Sequence, residues 1–436
     1  MNSVISVPSV PSVPSVAKSI GERSSDNGER PYIPYGRQSI DEDDIAAVVE
    51  VLRSDWLTTG PKVAEFEGAV ADYVGAKEAV AVNSGTAALH AVMYAIGIGP
   101  GDEVIVPPMT FAATANAVVM QGATPVFADV CTDTLLINPD EVETKITSRT
   151  RAIVAVDYAG HPCDYDALKG VAGRHGLFFI ADACHALGAE YKGRKVGSLA
   201  DLTVFSFHPV KHITTGEGGM ITTNVPRLAD RMRKFRNHGI TRDAGEFTVH
   251  GSRFTVEGNS TNSVGQRSTV NGERLWYYEM QELGYNYRIT DIQCALGISQ
   301  LRKLPRWIER RKEIAGIYDR AFADVRGVEP LNVRTGVLHA YHLYVIRVDP
   351  DRLGMNRDEV FCRLQANGVG VNVHYIPVHL HPFYKRRFGC RSGNCPVAEK
   401  AYEQIITIPL FNGLSDNDVE YVCETFRKVT KTAVNR

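Results

Sequence analysis

Seven short apolar runs alternate with helical stretches between residues 79 and 223, and this pattern constrains the fold more than any other feature of the chain. The helical stretches include residues 84–97 and 164–175. Strands that are apolar throughout and joined by helices predict an α/β fold, with a large, mainly parallel seven-stranded sheet covered by helices on both faces. The runs are AVAVN near residue 79, EVIVP near 103, TPVFADV near 124, AIVAVDY near 152, FFIAD near 178, LTVFSF near 202 and GGMITTN near 218.

The pattern changes near residue 305, which predicts a large domain over 31–305 and a smaller α+β domain over 306–436. The second part carries a charged helix over 306–323, strand-like HLYVIRV and VGVNVHY segments, and a terminal helix near 415–430.

Two polar segments stand outside this scheme. Residues 1–30 begin with repeats of Ser, Val and Pro and are expected to be a disordered tail, and 243–273 are expected to be a surface insertion.

Charge and cysteine usage exclude several classes of partner. The 48 Lys and Arg nearly balance 50 Asp and Glu, so no global basic field would gather nucleic acid. No apolar run approaches the roughly 20 residues that span a bilayer. The eight cysteines lack the paired spacing of zinc sites or disulfide frameworks. We therefore expect a cytoplasmic protein with reduced thiols and no metal, whose partners are small molecules or another subunit.

A carboxylate and a lysine follow two of the predicted strands. FFIAD ends on Asp182, and LTVFSF is followed by HPVK, which ends on Lys211. Because ligands bind where parallel strands end, both side chains are predicted to face one crevice. A pyridoxal phosphate (PLP) site needs such a pair: an amine that loses its proton readily, and a carboxylate that keeps the pyridine nitrogen protonated. Taken alone, the Asp is also typical of a helix cap or an ion pair, and the Lys of a solvated surface charge.

The segment NSGTAALHAV offers a place for a phosphate. Ser84, Gly85 and Thr86 lie between a predicted strand and a predicted helix, whose first amides have no partner within the helix. An ordinary helix cap by Ser84 or Thr86 is the alternative. The stretch FSFHPVKHITTGEGG adds the hydroxyl of Ser206 and a glycine-rich turn that allows the backbone to pass close to a bound ring.

Five ordered motifs now identify a family resemblance. NSGTAAL, PPMTFAATANAV, ADACHALGAEYKGRKVGSLAD, FSFHPVKHITTGEGG and GYNYRITDIQCALGISQL together resemble the DegT/DnrJ/EryC1/StrS family of sugar-nucleotide aminotransferases. The resemblance runs from about Tyr35 to the C-terminus, apart from the insertion. It implies the fold type I PLP transferase architecture, a PLP cofactor, and transfer of an amino group to a nucleotide-linked keto sugar.

The resemblance also implies catalytic roles. Lys211 would hold PLP as a Schiff base and then move the proton between cofactor and substrate carbons. Asp182 would pair with the pyridine nitrogen. His185, where many relatives have Gln, would approach the ring hydroxyl. Members of the family that dehydrate sugars have His in place of the lysine, so Lys211 favours transamination.

The remaining cofactor contacts follow from the same resemblance. Phe111 would stack on the ring, and the Gly85 and Thr86 amides with the Ser206 hydroxyl would hold the phosphate. Asn286 would reach the phosphate bound by a neighbouring subunit, which implies a homodimer with shared active sites.

Substrate choice is suggested by VDYAG at 156–160, CHALGAEY, and HYIPVHLHPFY at 374–384. These segments most resemble family members that make UDP-4-amino-4,6-dideoxy-N-acetyl-β-L-altrosamine for pseudaminic acid. They imply amino transfer from L-glutamate to C4 of a UDP-linked 4-keto-6-deoxy-N-acetylhexosamine. UDP-4-keto-arabinose or a 3-keto sugar is the alternative substrate, and a PLP-binding regulatory protein is the alternative function. The residues expected to line the sugar are Tyr158, His161, His374, Tyr375 and His379.

Overall fold

A seven-stranded sheet forms the centre of the protein, whose computed structural model describes residues 31–248 and 276–431. The described strands are β1 (Glu78–Val82), β2 (Glu103–Val106), β3 (Thr124–Phe127), β4 (Thr150–Val156), β5 (Phe178–Asp182), β6 (Glu190–Tyr191), β7 (Arg194–Lys195), β8 (Leu202–Ser206), β9 (Gly219–Thr223), β10 (Ile240–Thr241), β11 (Glu279–Met280), β12 (Val328–Pro330), β13 (Val337–Leu338), β14 (Tyr344–Val348) and β15 (Ile405–Ile408). The described helices are α1 (Glu42–Leu52), α2 (Pro61–Val74), α3 (Gly85–Ala95), α4 (Ala113–Met120), α5 (Pro139–Thr144), α6 (Tyr165–His175), α7 (Pro226–Phe235), α8 (Asp291–Phe322), α9 (Pro350–Leu353), α10 (Arg357–Ala366), α11 (Pro382–Phe388), α12 (Pro396–Gln404) and α13 (Asp416–Lys431).

The strand order of the central sheet is β1-β9-β8-β5-β4-β2-β3. All seven apolar runs identified in the sequence form its strands, so the predicted α/β fold with a mainly parallel sheet is confirmed. Strand β9 runs antiparallel to both of its neighbours, β1 and β8, and the other strands run in one direction. The carboxyl ends of β1, β5 and β8 therefore lie at the same edge as the amino end of β9.

Burial explains why these strands lack polar alternation. Every residue of β2 is buried, and so is every residue of β1 after Glu78. Helix α3 packs on β8 and β9, and α2 packs on β1. Each buried aliphatic side chain contributes about 1.5–3 kcal/mol, so helix packing on both faces accounts for the stability of this core.

Helix α8 connects this core to a second one. The sequence predicts a helix from residue 306, but α8 begins at Asp291, where Thr290 and Gln293 form reciprocal cap hydrogen bonds. Leu304 belongs to the first core, and Phe322 belongs to the second. The proposed domain boundary at residue 305 thus lies within a continuous helix, and the division into two domains stays a prediction.

The second core packs around the sheet β12-β14-β15. HLYVIRV forms β14, as expected, whereas VGVNVHY makes only single bridges, from Val369 to Ile33 and from Asn372 to Thr407. The side chain of Asn372 accepts a hydrogen bond from its neighbour Val373, so this segment does not continue as a ladder. The bridge to Ile33 also brings the beginning of the described chain onto the second core.

The expected tail and most of the expected insertion, residues 249–273, lie outside the described residues. The first part of the insertion, 243–248, includes a single 3-10 turn, and Thr248 contacts the carboxylate of Glu279 through its amide and its hydroxyl. In the two described ranges, no helix combines the length and the apolar character needed to cross a membrane.

Candidate active site

The carboxyl edge of the central sheet brings the predicted catalytic and phosphate-binding residues together. Asp182 ends β5, Ser206 ends β8, and Gly85 begins α3 directly after β1. A Cβ atom built on Gly85 would lie 3.0 Å from the Ser206 Cβ and 3.3 Å from the Cys184 Sγ. The absence of a side chain at Gly85 therefore allows β8 and the start of α3 to lie side by side.

Lys211 lies on the loop that joins β8 to β9. The Phe207 amide donates to the Gly218 carbonyl at 2.9 Å, and the Thr215 amide donates to the Phe207 carbonyl at 3.0 Å, so the loop is closed at its base. Burial lowers the pKa of the Lys211 amine, while the carboxylate of Asp182 opposes this effect. A lowered pKa favours the neutral amine, which is the form that acts as a nucleophile or base.

Asp182 is buried, and neighbouring groups fix the orientation of its carboxylate. The Thr114 hydroxyl donates to Oδ2 at 2.7 Å, and the Cys184 amide donates to Oδ1 at 3.3 Å. The Thr114 hydroxyl also lies 2.7 Å from that of Thr110. Helix α4 thus supports the carboxylate through Thr114.

His185 is a buried, neutral imidazole beside Tyr375. Its Nε2 lies 3.0 Å from the Tyr375 hydroxyl, and the two rings stack with centroids 6.0 Å apart. Burial, followed by the charge of Lys211, holds the pKa of His185 well below its usual value. In the described part of the chain, its Nδ1 is buried and has no hydrogen-bond partner, which a ligand hydroxyl would supply.

The start of α3 forms a cradle suited to a phosphate. Ser84 caps the helix by accepting from the Ala87 amide at 3.1 Å, and the Gly85 and Thr86 amides belong to the first turn, which has no acceptors within the helix. A Cβ atom on Gly219 would lie 2.4 Å from the Ser84 carbonyl oxygen, so only glycine allows β9 to approach this turn. The cradle, the carboxylate of β5 and the unpaired imidazole nitrogen fit the phosphate, ring nitrogen and ring hydroxyl of PLP.

Phe111 and Asn286 lie at the surface near this edge. The Phe111 side chain is 61% exposed, and its ring centroid lies 6.1 Å from that of Tyr375, so its face is available to a planar ligand. The exposed Asn286 lies beside the cradle of its own chain, because its carbonyl accepts from the Asn83 side chain at 3.4 Å. The expected contact of its side chain with a neighbouring subunit stays a prediction.

Three of the residues that were predicted to line the sugar, Tyr158, His374 and Tyr375, lie close together beside His185. The Tyr158 hydroxyl donates to the His374 carbonyl, and the Tyr158 ring centroid lies 6.5 Å from that of His185. The Nδ1 of His374 lies 2.9 Å from the Thr407 hydroxyl. Burial, followed by the charge of Lys211, lowers the pKa of His374 to about 3. Together with Tyr375, these residues form a wall of neutral hydrogen-bonding groups.

His161 and His379, the other two residues predicted to line the sugar, contact other parts of the chain, and their role at the sugar stays a prediction. His161 is buried, and its Nε2 accepts from the Arg334 amide at 3.2 Å. His379 is fully buried, and its Nε2 lies 2.9 Å from Glu399 Oε1. One nitrogen of each imidazole is therefore engaged by another part of the chain, His161 by the Arg334 amide and His379 by Glu399.

The contacts of Glu399 predict a loss of stability in acid. Burial raises the pKa of this carboxyl, but hydrogen bonds from Ser392, Gly393 and His379 outweigh it and lower the pKa from 4.5 to about 2. A carboxyl with a lowered pKa stabilises the fold above its unfolded pKa, and this contribution disappears as the pH falls through the folded value. We expect Glu399→Gln to lower the free energy of unfolding at pH 7 by about 1–2 kcal/mol, and by much less at about pH 2, in urea titrations.

The matched control for this prediction is Glu329→Gln. Glu329 is an exposed glutamate that pairs with Arg352 on the surface. Exposed pairs contribute about 0–1 kcal/mol, so this variant should follow the wild type at both pH values. Equal losses in the Glu399 variant at pH 7 and in acid would contradict the prediction.

Two functional neighbours escaped the sequence reasoning. His342 places its Nε2 3.3 Å from the Lys211 Nζ, and Thr114 donates to Asp182 as described above. Thr114 belongs to the PPMTFAATANAV motif, in which the resemblance assigns a role only to Phe111. His342 ends the run HAYH and is also the first residue of the HLYVIRV segment, and a pair of histidines at the start of a strand was the available signal.

Gly160 allows the segment that carries His342 to approach the site. Its φ is +98°, and a Cβ atom there would lie 2.8 Å from the His185 carbonyl oxygen and 2.9 Å from the amide nitrogens of Tyr341 and His342. These neighbours are backbone atoms that cannot rotate away. Only glycine fits both the conformation and the space.

We therefore expect Gly160→Ala to lower the free energy of unfolding by about 3 kcal/mol or more, because left-handed strain and overpacking add. Gly193→Ala is the matched control, since Gly193 has φ +74° and a Cβ atom there would meet no described atom within 4 Å. That control carries left-handed strain alone, about 1–2 kcal/mol. Thermal and urea unfolding of both variants would test the difference, and equal losses would show that the close approach is unimportant.

Comparison with known proteins places this geometry in a family. Residues 38–427 match the family model of the DegT/DnrJ/EryC1/StrS aminotransferase family. The spore coat polysaccharide biosynthesis protein SpsC of Bacillus subtilis is 43% identical over 403 residues, which cover 92% of this chain and 98% of that protein.

Solved structures agree with this match. PseC of Helicobacter pylori, an aminotransferase involved in the biosynthesis of pseudoaminic acid, aligns with a TM-score of 0.80 and 32% identity, covering 92% of this chain and 100% of that one. The putative sugar aminotransferase Spr1654 of Streptococcus pneumoniae, in its PMP form, aligns with a TM-score of 0.82 and 34% identity, covering 93% and 99%. Spr1654 is also known in a PLP form. The chain therefore belongs to the DegT/DnrJ/EryC1/StrS family of PLP-dependent sugar aminotransferases and has the fold type I architecture.

Proposed function

We propose that this protein uses PLP held on Lys211 to transfer the amino group of L-glutamate to C4 of a UDP-linked 4-keto-6-deoxy-N-acetylhexosamine. The convergence of Lys211, Asp182 and the α3 cradle at one sheet edge carries the proposal. The similarity to PseC, which is named for pseudoaminic acid biosynthesis, supports the choice of sugar.

Each catalytic residue has a task in this proposal. Bound PLP supplies a ring that withdraws electrons from the carbon losing its proton. The neutral Nζ of Lys211 accepts that proton and later returns it to the other reacting carbon. Asp182, oriented by Thr114, holds a proton on the ring nitrogen by its negative charge. This charge pairing is where we expect most of the stabilisation of the transition state.

The remaining residues bind and orient. The amides of Gly85 and Thr86 and the hydroxyl of Ser206 hold the phosphate, whose charge the N-terminal end of α3 favours. Phe111 covers one face of the ring and limits the access of water. The imidazole of His185 donates or accepts at the ring hydroxyl through its unpaired Nδ1.

The sugar side of the site is formed by neutral groups. His374 stays uncharged at neutral pH because its pKa lies near 3, and burial keeps the pKa of the Tyr158 hydroxyl raised. Neutral hydroxyl and imidazole groups match the hydroxyl, keto and N-acetyl groups of a hexosamine, which carry no charge. With Tyr375, they are proposed to position C4 next to Lys211.

The direct test supplies the protein with PLP, L-glutamate and the UDP-linked 4-keto-6-deoxy-N-acetylhexosamine. The expected products are the 4-amino sugar nucleotide and 2-oxoglutarate in equal amounts, identified by mass spectrometry and NMR. UDP-4-keto-arabinose and a nucleotide-linked 3-keto sugar serve as competing substrates. Preferential amination of either would overturn the substrate assignment, and bound PLP without turnover of any substrate would favour a regulatory protein.

We also propose that the active unit is a homodimer. The segment at the start of the second described range, residues 276–283, exposes large apolar side chains. Trp276 is 69% exposed, Met280 65% and Leu283 71%. Large exposed apolar side chains that follow one another closely in the chain are expected at an interface between subunits. Asn286 follows it in the chain, so a partner bound there would bring the two cradles and both Asn286 side chains close together.

A mixed dimer would establish which site Asn286 serves. Asn286→Asp places a negative charge near the phosphate and is expected to weaken PLP binding by roughly 10–100-fold. If Asn286 reaches across the interface, a mixed dimer of Lys211→Ala and Asn286→Asp subunits has one intact site and one doubly impaired site. Activity should then return to about half of the wild-type value per dimer.

The parent homodimers and a mixture of separately assayed variants are the controls for this experiment. If Asn286 serves its own subunit, every site in the mixed dimer carries one defect. Activity would then stay as low as in the parents, and the shared-site proposal would be wrong.

A further inference from the structure

The imidazole of His342 is buried against the amine of Lys211. Its side chain is 5% exposed, and Nε2 lies 3.3 Å from Lys211 Nζ. The ring centroid is 4.4 Å from that of His185 and 5.6 Å from that of His212. None of the roles assigned above to the cofactor or the sugar uses this imidazole.

The backbone around His342 is held from two sides. The Ala340 amide donates to the Gly160 carbonyl at 2.9 Å, and the Leu343 amide donates to the Ala159 carbonyl at 3.2 Å. From α8, the buried Arg311 donates through Nη1 to the carbonyls of Tyr341 at 3.0 Å and His342 at 3.4 Å. The imidazole is therefore presented to Lys211 by a fixed turn.

The environment of Nδ1 indicates which nitrogen of the His342 imidazole carries the proton. The Nδ1 of His342 is buried without a partner in the described part of the protein. A neutral imidazole carries one N–H and one lone pair. Leaving an N–H unpaired in a buried position is rarer in proteins than leaving an acceptor unpaired. The favoured tautomer therefore has its proton on Nε2, the nitrogen that points at Lys211.

The charges around the pair agree with a neutral imidazole and a neutral amine. Burial, then Lys211, His185, His212 and Arg311, hold the pKa of His342 well below its usual value. The groups that face Lys211 and His342 from the surrounding elements are Asp182, Cys184, His185, His212, Arg311 and His374. Asp182 favours a charged amine, whereas burial favours the neutral one, and a hydrogen bond donated to Nζ would act in the same direction as burial.

We propose that His342 is a positioning residue that keeps Lys211 in its neutral, proton-accepting form by donating a hydrogen bond from Nε2–H to Nζ. An N–H directed at Nζ stabilises the lone pair of the amine and repels an ammonium. The inference rests on the proposed role of Lys211, because it explains how the amine stays neutral whenever it is free, both before PLP is attached to it and after the amino donor has released it.

The test uses the PLP-free full-length protein and cyanate, a small reagent that carbamylates neutral amines. The rate of modification at Lys211 is measured against pH by mass spectrometry of the peptide that contains it. In His342→Leu, which keeps the volume but loses the donor, we expect the rate at pH 7 to fall about tenfold and to reach the wild-type rate at high pH, a rise of about one pKa unit. His90→Leu, a buried histidine that contacts Tyr287, is the control and should titrate like the wild type.

An increased rate in His342→Leu would mean that Nε2 accepts from an ammonium, and an unchanged rate would mean that His342 only fills space. Either result overturns the proposal. Nitrogen NMR of wild-type protein labelled in its imidazoles tests the tautomer without any variant, and a proton on Nδ1 of His342 would also overturn it. Neither measurement uses PLP or sugar, so both remain informative if the proposed transamination fails.

Discussion

Lys211→Ala is expected to lower kcat/KM for amino transfer by about 10⁴-fold or more, because the residue that attaches the cofactor is also the one that moves the proton. The α3 cradle and Asp182 are unchanged in this variant, so PLP should still bind. The visible absorption of lysine-bound cofactor should be lost. Steady-state kinetics with L-glutamate, together with absorption spectra of the reconstituted variant, would measure both effects.

Lys192→Ala is the matched control for a lost lysine. Lys192 is exposed and pairs with Asp166 on the surface, so its removal should leave kinetics and spectra unchanged. Added small primary amines should restore part of the activity of Lys211→Ala, since they can replace the missing base in the space left by the side chain. Substantial activity of the variant without such amines would contradict the assignment of Lys211.

Asp182→Asn is expected to lower kcat by about 10²–10³-fold, a loss typical of removing one preorganised electrostatic contact. The amide keeps the shape and a hydrogen-bond acceptor for Thr114, but it lacks the charge that holds a proton on the ring nitrogen. Because the phosphate cradle is intact, PLP affinity should fall far less than kcat. Rapid mixing with L-glutamate would show whether the first half of the reaction carries the loss.

Thr114→Val separates charge from orientation. This variant retains the carboxylate and removes only the hydrogen bond to Oδ2, which is 2.7 Å long. A hydrogen bond to a charged group contributes about 1.5–3 kcal/mol, so a loss of roughly 10–100-fold is expected. If Thr114→Val were as damaging as Asp182→Asn, orientation and not charge would be the main contribution of this carboxylate.

The central sheet was predictable because each strand carries its own local pattern. Runs such as FFIAD and LTVFSF are apolar throughout, and only a strand covered on both faces accommodates them. Once the strands were recognised, Asp182 and Lys211 could be singled out because each follows from the end of a strand, and parallel strands end at one edge of the sheet. Family motifs then supplied the proposed roles that spacing alone left open.

The environment of those residues was not predictable, because it depends on contacts between distant segments. His342 reaches Lys211 across 131 positions of sequence, and no local pattern encodes that approach. His379 lies in a motif that resembles a substrate wall, yet its nitrogen is committed to Glu399, twenty residues further along the chain. Imidazoles suit both structural and binding roles, so their function depends on which partner the fold brings to them.

The reversed direction of β9 determines how the loop that carries Lys211 is anchored to the sheet. If β9 ran parallel to β8, the chain would need a crossover to the opposite end of the sheet, usually through a helix. The antiparallel pairing of Ser206 with Gly219 instead makes the segment with Lys211 a long hairpin loop that leaves and returns at the same edge. A crossover helix would lie against a face of the sheet, whereas this loop begins and ends at the edge where the site is formed. Both ends of the loop that carries Lys211 are thus fixed by the same pair of strands.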